Sequence, residues 1–177
     1  MTSSRKARLV ILISGRGSNM QAFIEACETG QIDADIALVL SNSPDAAGLA
    51  TAAAAGIATT SIDHRRYESR KDFDAALVST LQPYQPDLVI LAGFMRILTP
   101  VFITPFAGKL LNIHPSLLPK YPGLNTHRRA LEAGDSEAGV TVHYVTQELD
   151  GGPPIIQARV PIEQGDSPET LATRVIV

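Results

Sequence analysis

The sequence is poor in residues that could tie a fold together covalently or through metal ions. Cysteine occurs once, at Cys27, which excludes an internal disulfide and argues against multi-cysteine zinc or iron–sulfur sites. Basic residues are not in excess, because 15 Lys and Arg stand against 18 Asp and Glu and leave a net charge of −3. A phosphate backbone demands a basic face, so nucleic acid is not a predicted partner. The expected ligands are small molecules.

Long hydrophobic runs are lacking as well. The longest uncharged apolar stretches, 9–13 and 88–95, fall far short of the roughly 20 residues that a membrane helix needs. The first of them leads directly into Gly15, Arg16 and Gly17, with no small-residue cleavage site of a secretory signal. We therefore predict a cytoplasmic protein without membrane association.

Apolar runs of strand length alternate with helical patterns along the 177 residues, which is the length of one domain. Early runs are continuously apolar, as in a parallel sheet covered on both faces, whereas Thr141, His143 and Gln157 interrupt the last two. The pattern predicts a doubly wound, mostly parallel α/β fold with half-exposed, antiparallel late strands. Strands are predicted at 9–13, 36–40, 88–92, 110–113, 140–145 and 155–160, and helices at 19–28 after a Ser18 cap, 45–55, 69–81 and 126–133.

The first predicted strand runs into Ser14, Gly15, Arg16, Gly17, Ser18 and Asn19 and then into a helix. Glycine lets a backbone approach a phosphate closely, and a helix N-terminus favours anions, so this turn is a candidate phosphate site. A dinucleotide site is disfavoured because Met20 replaces the third glycine of that motif. The alternative is a tight turn that merely starts a helix.

Asn112 and His114 lie two residues apart at the end of a predicted buried strand, so their side chains share a face. An amide and an imidazole placed together could stabilise the oxyanion that forms when a nucleophile attacks a carbonyl. The alternative is a hydrogen-bonded structural histidine.

Asp150 lies in a glycine-rich loop between the last two predicted strands, where it could reach the same cleft. A carboxylate beside His114 would orient the ring and favour its protonated form. Asp150 is equally consistent with an ordinary turn residue. A serine hydrolase is discounted although Ser116 is near, because no G-x-S-x-G motif exists, and no zinc-binding histidine pair occurs on one helix.

A further segment, residues 93–98, follows the buried strand at 88–92. Its mixture of apolar side chains and backbone polar groups suits a flat heterocycle, and the alternative is a plain connection into a new helix at Thr99 and Pro100.

These segments together resemble the glycinamide ribonucleotide formyltransferase family, from Leu9 to about Val175. The most specific motifs are S-G-R-G-S-N at 14–19, A-G-F-M-R-I-L at 92–98, L-N-I-H-P-S-L-L-P at 111–119 and L-D-G-G-P at 149–153. The resemblance implies the formyltransferase type of fold, with Asn112, His114 and Asp150 as catalytic residues and Gly17, Ser18 and Asn19 at the ribonucleotide phosphate. It also implies a folate site, made by Arg70, Met95, Arg96, Ile97, Leu98, Asn112, Thr146, Gln147, Glu148 and Leu149.

The implied activity is formyl transfer from 10-formyltetrahydrofolate, as co-substrate, to the amine of glycinamide ribonucleotide in purine biosynthesis, without a metal. The alternatives are hydrolysis of formyltetrahydrofolate and a non-catalytic folate- or nucleotide-binding module. Lys120, Tyr121, Pro122 and Gly123 followed by Thr126, His127 and Arg128 resemble the ribonucleotide enzyme, although Asn125 stands where that family often has His.

The resembled family continues beyond residue 177, so we expect 1–177 to form a single formyltransferase domain that lacks its C-terminal segment. Leu171, Val175, Ile176 and Val177 would form an apolar stripe on a helix that begins near Ser167 and has no C-terminal capping residue. An exposed stripe favours self-association into a homo-oligomer. The 177-residue chain is expected to bind folate better than ribonucleotide and to turn over poorly.

Overall fold

The computed structural model describes residues 4–176, with all of their side chains except that of Ile176. The described chain forms two compact units, which divide between Leu110 and Leu111. Among residues 4–176 there is no helix with the length and apolar character required to cross a membrane.

The first unit contains four parallel strands in the order β3-β2-β1-β4. The side chains of β1 from Leu9 to Ile13 are at most 3% exposed, as predicted for a strand covered on both faces. Its elements are β1 (Ala7–Ile13), α1 (Ser18–Glu28), β2 (Ala34–Ser41), α2 (Ala47–Ala54), β3 (Thr59–Ser61), α3 (Arg70–Leu81), β4 (Leu88–Leu91), α4 (Pro100–Ile103) and three single 3₁₀ turns at His64–Arg66, Gln82–Tyr84 and Thr104–Phe106.

The direction of the sheet reverses after β3, because β4 lies beside β1 and not beyond β3. Right-handed crossovers then bring α1 and α2 to one face and α3 to the other, which is the doubly wound arrangement that the sequence predicts. The carboxyl ends of β1 and β4 are neighbours, so the turns that follow them meet.

The second unit contains β5 (Leu110–His114), β6 (Glu137–Tyr144) and β7 (Pro154–Pro161), paired antiparallel in that order, with α5 (Thr126–Glu132) and α6 (Pro168–Ile176). The late antiparallel strands are therefore confirmed. The outermost strand, β7, is mostly exposed, with Ile155 at 49% and Ile156 at 64%. This agrees with the predicted half exposure for β7, but the prediction is wrong for β6, where the polar Thr141 and His143 are 0% and 2% exposed.

Three further details differ from the sequence-based expectations. Ser18 is not the cap of α1, because Gly17 takes the capping position in the left-handed region, at φ 68°, and Ser18 is already helical. The short strand β3 has no apolar run that could have predicted it. Leu171 is fully buried, not part of an exposed stripe, because α6 contacts α5, β6 and β7. Of the other stripe residues Val175 is half-buried, and the Ile176 side chain and Val177 lie outside the described residues.

Candidate active site

The end of β5 and the facing part of β6 bring four polar side chains to one face of the second unit. Asn112 and His114 alternate along β5, and the antiparallel register sets them directly opposite His143 and Thr141. His114, Thr141 and His143 are 5%, 0% and 2% exposed. Buried polar groups of this kind are retained only where each finds a partner.

Both ring nitrogens of His114 have polar neighbours. Its Nε2 lies 2.9 Å from the carbonyl oxygen of Tyr121, which can only accept, so Nε2 carries a hydrogen. Its Nδ1 lies 3.6 Å from Oδ1 of Asp150, and both side chains are less than a tenth exposed. His114 thus has a carbonyl oxygen at one ring nitrogen and a carboxylate at the other.

The loop between β6 and β7 carries Asp150 to His114 in a left-handed backbone conformation, at φ 52°. The Oδ2 atom of Asp150 accepts a hydrogen bond of 2.8 Å from the backbone N–H of Gly123. The next turn requires glycine at Gly152, where a Cβ would lie 1.8 Å from the carbonyl oxygen of Tyr144. This close return of the chain fixes the loop and, through it, the carboxylate.

His143 is the residue of this cluster that the sequence analysis did not single out. Its Nδ1 donates to the carbonyl oxygen of Tyr144 at 3.0 Å, which leaves Nε2 to accept from the Asn112 amide nitrogen at 3.2 Å. The same Nε2 lies 3.9 Å from Oδ1 of Asp150. His143 therefore orients the Asn112 amide, and the second hydrogen of that amide nitrogen remains available. The alternation of Thr141 and His143 indicates that both side chains share a face of their strand. The sequence does not indicate which residues of β5 they lie opposite.

Thr141 secures the loop that follows β5. Its hydroxyl donates to the carbonyl oxygen of Ser116 at 2.7 Å and accepts from the backbone N–H of Leu118 at 3.1 Å. The side chain of Gln157 on β7 adds hydrogen bonds to the Leu118 carbonyl oxygen and to Thr141. The loop is thus held against the sheet that presents Asn112 and His114.

In the first unit, Gly17, Ser18 and Asn19 lie at the N-terminus of α1, as the sequence predicts. The first backbone N–H groups of a helix have no intrahelical partner, and no side chain among residues 4–176 caps this end of α1. A Cβ on Gly17 would touch the Met20 side chain at 3.0 Å, and the turn packs closely against α2 through a hydrogen bond from the Gly48 N–H to the Gly15 carbonyl oxygen. Open N–H groups and the helix dipole make this turn suitable for an anion.

The segment after β4 is tied to the same turn by Ser14. The Ser14 hydroxyl accepts from the backbone N–H of Met95 at 2.7 Å and donates to Oδ1 of Asn42 at 2.5 Å. Met95 and Ile97 expose 65% and 55% of their surfaces, whereas Leu98 is buried. The turn after β1 and the segment after β4 therefore form one connected surface with exposed apolar side chains.

The far end of that segment is fixed by Asp74, a buried carboxylate on α3. It accepts from both the N–H and the hydroxyl of Thr99, each at 2.6 Å. The Arg96 guanidinium lies 5.9 Å from the centre of the Phe73 ring, and its buried Nε has no hydrogen-bond partner among residues 4–176. A buried donor without a partner is unusual in a protein and fits a group that a ligand completes.

The remaining predicted folate residues lie on the surfaces of their units. Arg70 is the exposed first residue of α3. Thr146, Gln147, Glu148 and Leu149 are exposed in the β6–β7 loop, with Leu149 at 59%. All of them are accessible to a ligand.

Several known proteins similar to this chain are formyltransferases by name. The family model described as "Formyl transferase" matches residues 7–176. Phosphoribosylglycinamide formyltransferase of Escherichia coli is 56% identical over 94% of this chain and 79% of its own length, and that of Haemophilus influenzae is 50% identical over the same shares. The crystal structure of glycinamide ribonucleotide transformylase 1 from Symbiobacterium toebii covers 98% of this chain and 82% of its own, with a TM-score of 0.96 and 46% identity. The fold, the motifs and these similarities agree, and the chain belongs to the formyl transferase family.

Proposed function

We propose that this chain transfers a formyl group from 10-formyltetrahydrofolate to the amine of glycinamide ribonucleotide, as a step of purine biosynthesis. The observation that carries the proposal is the buried pairing of His114 with Asp150, beside the oriented amide of Asn112, in a chain 56% identical to the Escherichia coli phosphoribosylglycinamide formyltransferase. Acyl transfer needs groups that stabilise a developing oxyanion, and in this proposal Asn112 and His114 have that role.

In the proposed reaction the amine nitrogen bonds to the formyl carbon and the carbonyl electron pair moves onto oxygen. The free amide hydrogen of Asn112 and the positive charge of His114 stabilise that oxyanion, because both act in a place with little water. The intermediate then expels N10 of the folate. The attacking nitrogen loses one proton and N10 gains one, so the transfer is balanced without an external oxidant or reductant.

Asp150 has two roles in this proposal. Its Oδ1 faces Nδ1 of His114 at 3.6 Å and keeps the ring charged. It also helps to move the proton from the attacking amine towards N10 through water. The hydrogen bond from Gly123 to the other carboxylate oxygen holds Asp150 in place for both roles.

The substrates would be held by the two surfaces described above. Gly17, Ser18 and Asn19 would bind the ribonucleotide phosphate through N–H groups at the start of α1. The folate would lie against Arg70, Met95, Arg96, Ile97 and Leu98, with Asn112 at the formyl group and Thr146, Gln147, Glu148 and Leu149 covering the pterin. Support for the folate surface comes from the exposure of Met95 and Ile97 and from the orphaned Nε of Arg96.

A single-turnover assay with both substrates tests the proposal. The purified chain is mixed with glycinamide ribonucleotide and 10-formyltetrahydrofolate, and products are separated by liquid chromatography and identified by mass spectrometry. Formylated ribonucleotide is the expected product. Free formate in its place would identify a hydrolase, and binding of the ligands without either product would identify a non-catalytic module.

A further inference from the structure

The segment between β5 and α5 touches both members of the His114–Asp150 pair through its backbone. The Tyr121 carbonyl oxygen accepts from Nε2 of His114 at 2.9 Å, and the N–H of Gly123 donates to Oδ2 of Asp150 at 2.8 Å. Two residues of one short segment therefore contact both the imidazole and the carboxylate.

The backbone of this segment does not hold its conformation by itself. Tyr121 has φ 54°, in the left-handed region that a residue with a Cβ adopts only at a cost. Such a conformation persists when the surrounding contacts impose it. The Ser116 hydroxyl donates to the Lys120 carbonyl oxygen at 2.6 Å, and the side chain of Tyr121 makes further contacts that constrain the segment.

Those contacts come from both sides of the tyrosine. Its hydroxyl donates to Oδ2 of Asp135 at 2.6 Å, and the same carboxylate oxygen lies 3.3 Å from Nζ of Lys120. The Arg129 guanidinium lies 5.2 Å from the centre of the Tyr121 ring and donates to the carbonyl oxygen of Pro122 at 2.6 Å. The hydrogen bond to Tyr121 is the main cause that holds the pKa of Asp135 below its usual value. The Tyr121 ring is thus held by a hydrogen bond at its hydroxyl and by a cation–π contact with Arg129 at its face.

We propose that Tyr121 is a positioning residue: its hydrogen bond to Asp135 holds the 120–124 segment so that the Tyr121 carbonyl oxygen orients His114 and the Gly123 N–H orients Asp150. This inference rests on the proposed function for its catalytic consequence, whereas the orientation of the ring can be measured without any turnover. Tyr121 does not touch the substrates in this role.

The kinetic test compares Tyr121→Phe, which removes only the hydroxyl, with Asp135→Asn, which keeps an oxygen acceptor. Tyr121→Phe is expected to lower kcat about tenfold, the effect of one lost hydrogen bond, with both KM values within about twofold of wild type. Asp135→Ala should lower kcat by the same factor as Tyr121→Phe. The double variant with Tyr121→Phe and Asp135→Ala should be no less active than either single variant. Asp135→Asn should retain most of the wild-type activity. Tyr84→Phe removes a hydroxyl for which no hydrogen bond is found among residues 4–176, and it should leave kcat unchanged.

The structural test follows the ring N–H signals of the histidines by NMR. The hydrogen on Nε2 of His114 is buried and bonded to Tyr121, so it should give a slowly exchanging signal that Tyr121→Phe broadens or removes. The Nδ1–H of His143, bonded to Tyr144, is an internal control that should persist. An unchanged His114 signal, or an unchanged kcat in an active enzyme, would overturn the inference. A wild-type chain without formyl transfer would overturn the proposed function instead, and the His114 signal would still decide whether Tyr121 positions the ring.

Discussion

At the scale of single residues, the candidate site is organised by which atom donates and which accepts. His114 has one nitrogen committed to a carbonyl oxygen and the other facing a carboxylate, whereas His143 donates through Nδ1 and accepts through Nε2. Two buried histidines thus lie 3.6 and 3.9 Å from the same Oδ1 atom of Asp150, with their other contacts made to different partners.

Replacement of His114 or Asn112 by Ala is expected to lower kcat by roughly a hundredfold or more, as for the loss of an oxyanion donor. Folate affinity should survive the His114 change, because the ring is almost fully buried. Steady-state kinetics, folate titration and circular dichroism on the same samples check the effect and the fold. Retained turnover in His114→Ala would remove this histidine from the mechanism.

At the scale of elements, the start of α1 combines a left-handed backbone conformation with the candidate phosphate site. Gly17 has φ 68°, and the helix that follows it is not capped by a side chain. Gly30, beyond the other end of α1, has φ 77° and open space around the position of a Cβ. The two glycines carry a similar conformational requirement, but only one is at the candidate phosphate site.

Gly17→Val is therefore expected to weaken ribonucleotide binding at least tenfold, since a side chain blocks the backbone approach to a phosphate, while folate affinity stays nearly intact. Gly30→Val is the matched control, and it should lose stability without a selective loss of ribonucleotide affinity. Calorimetric titration of both variants with both ligands is the measurement. Equal loss of the two ligands in Gly17→Val would indicate a folding defect and not a phosphate contact.

The packing of α2 against the turn after β1 gives a second prediction at this scale. A Cβ on Gly48 would lie 2.5 Å from Cδ1 of Ile13 and 2.9 Å from the carbonyl oxygen of Arg16. Ala is favoured over Gly within a helix by about 1 kcal/mol, but overpacking a close contact costs about 1–3 kcal/mol. We expect Gly48→Ala to lower the free energy of unfolding in urea by about 1 kcal/mol. A stabilised variant would show that the turn after β1 can shift to accommodate the added methyl group.

At the scale of the whole molecule, stability should depend on pH through carboxylates paired with arginine. Asp166 accepts from both terminal nitrogens of Arg174, at 2.6 and 3.0 Å, and these bonds hold its pKa well below its ordinary value. Asp63 has its pKa lowered to about 2 by Arg65, but that pair is more exposed. Exposed pairs contribute little, so Asp166, whose side chain is 6% exposed, should dominate.

A carboxyl whose pKa is lower in the folded state stabilises the fold above its unfolded pKa, near 4, and that contribution fades as the pH falls towards the folded pKa. Asp166→Asn should therefore lower the urea midpoint at pH 7, and the difference from wild type should shrink below about pH 4. Urea titrations of both proteins at pH 7 and pH 3 give the comparison. A difference independent of pH would mean that the charge of Asp166 is not what stabilises α6.

The comparisons confirm the α/β fold and the formyltransferase chemistry expected from the motifs. The assignment of roles to individual site residues, the single domain, the cytoplasmic location and the homo-oligomer remain predictions. The continuation of the polypeptide beyond residue 177, the poor turnover and the preference for folate also remain predictions.

The sequence by itself determined the elements whose signals are local. Continuous apolar runs marked β1 and β4, Ser69 marked the start of α3, and the glycine turn before α1 and the motif around Asn112 and His114 identified the family and its chemistry. The periodicity of apolar residues and the backbone preference of glycine act within a few residues. Both can therefore be recognised in the sequence alone. The tertiary structure decided what depends on register and loop closure: the pairing of His143 with Asn112, the carbonyl oxygen of Tyr121 on His114, and the return of Asp150 to that ring. These contacts join residues that are distant in the sequence, and their atoms meet only once the antiparallel strands have paired.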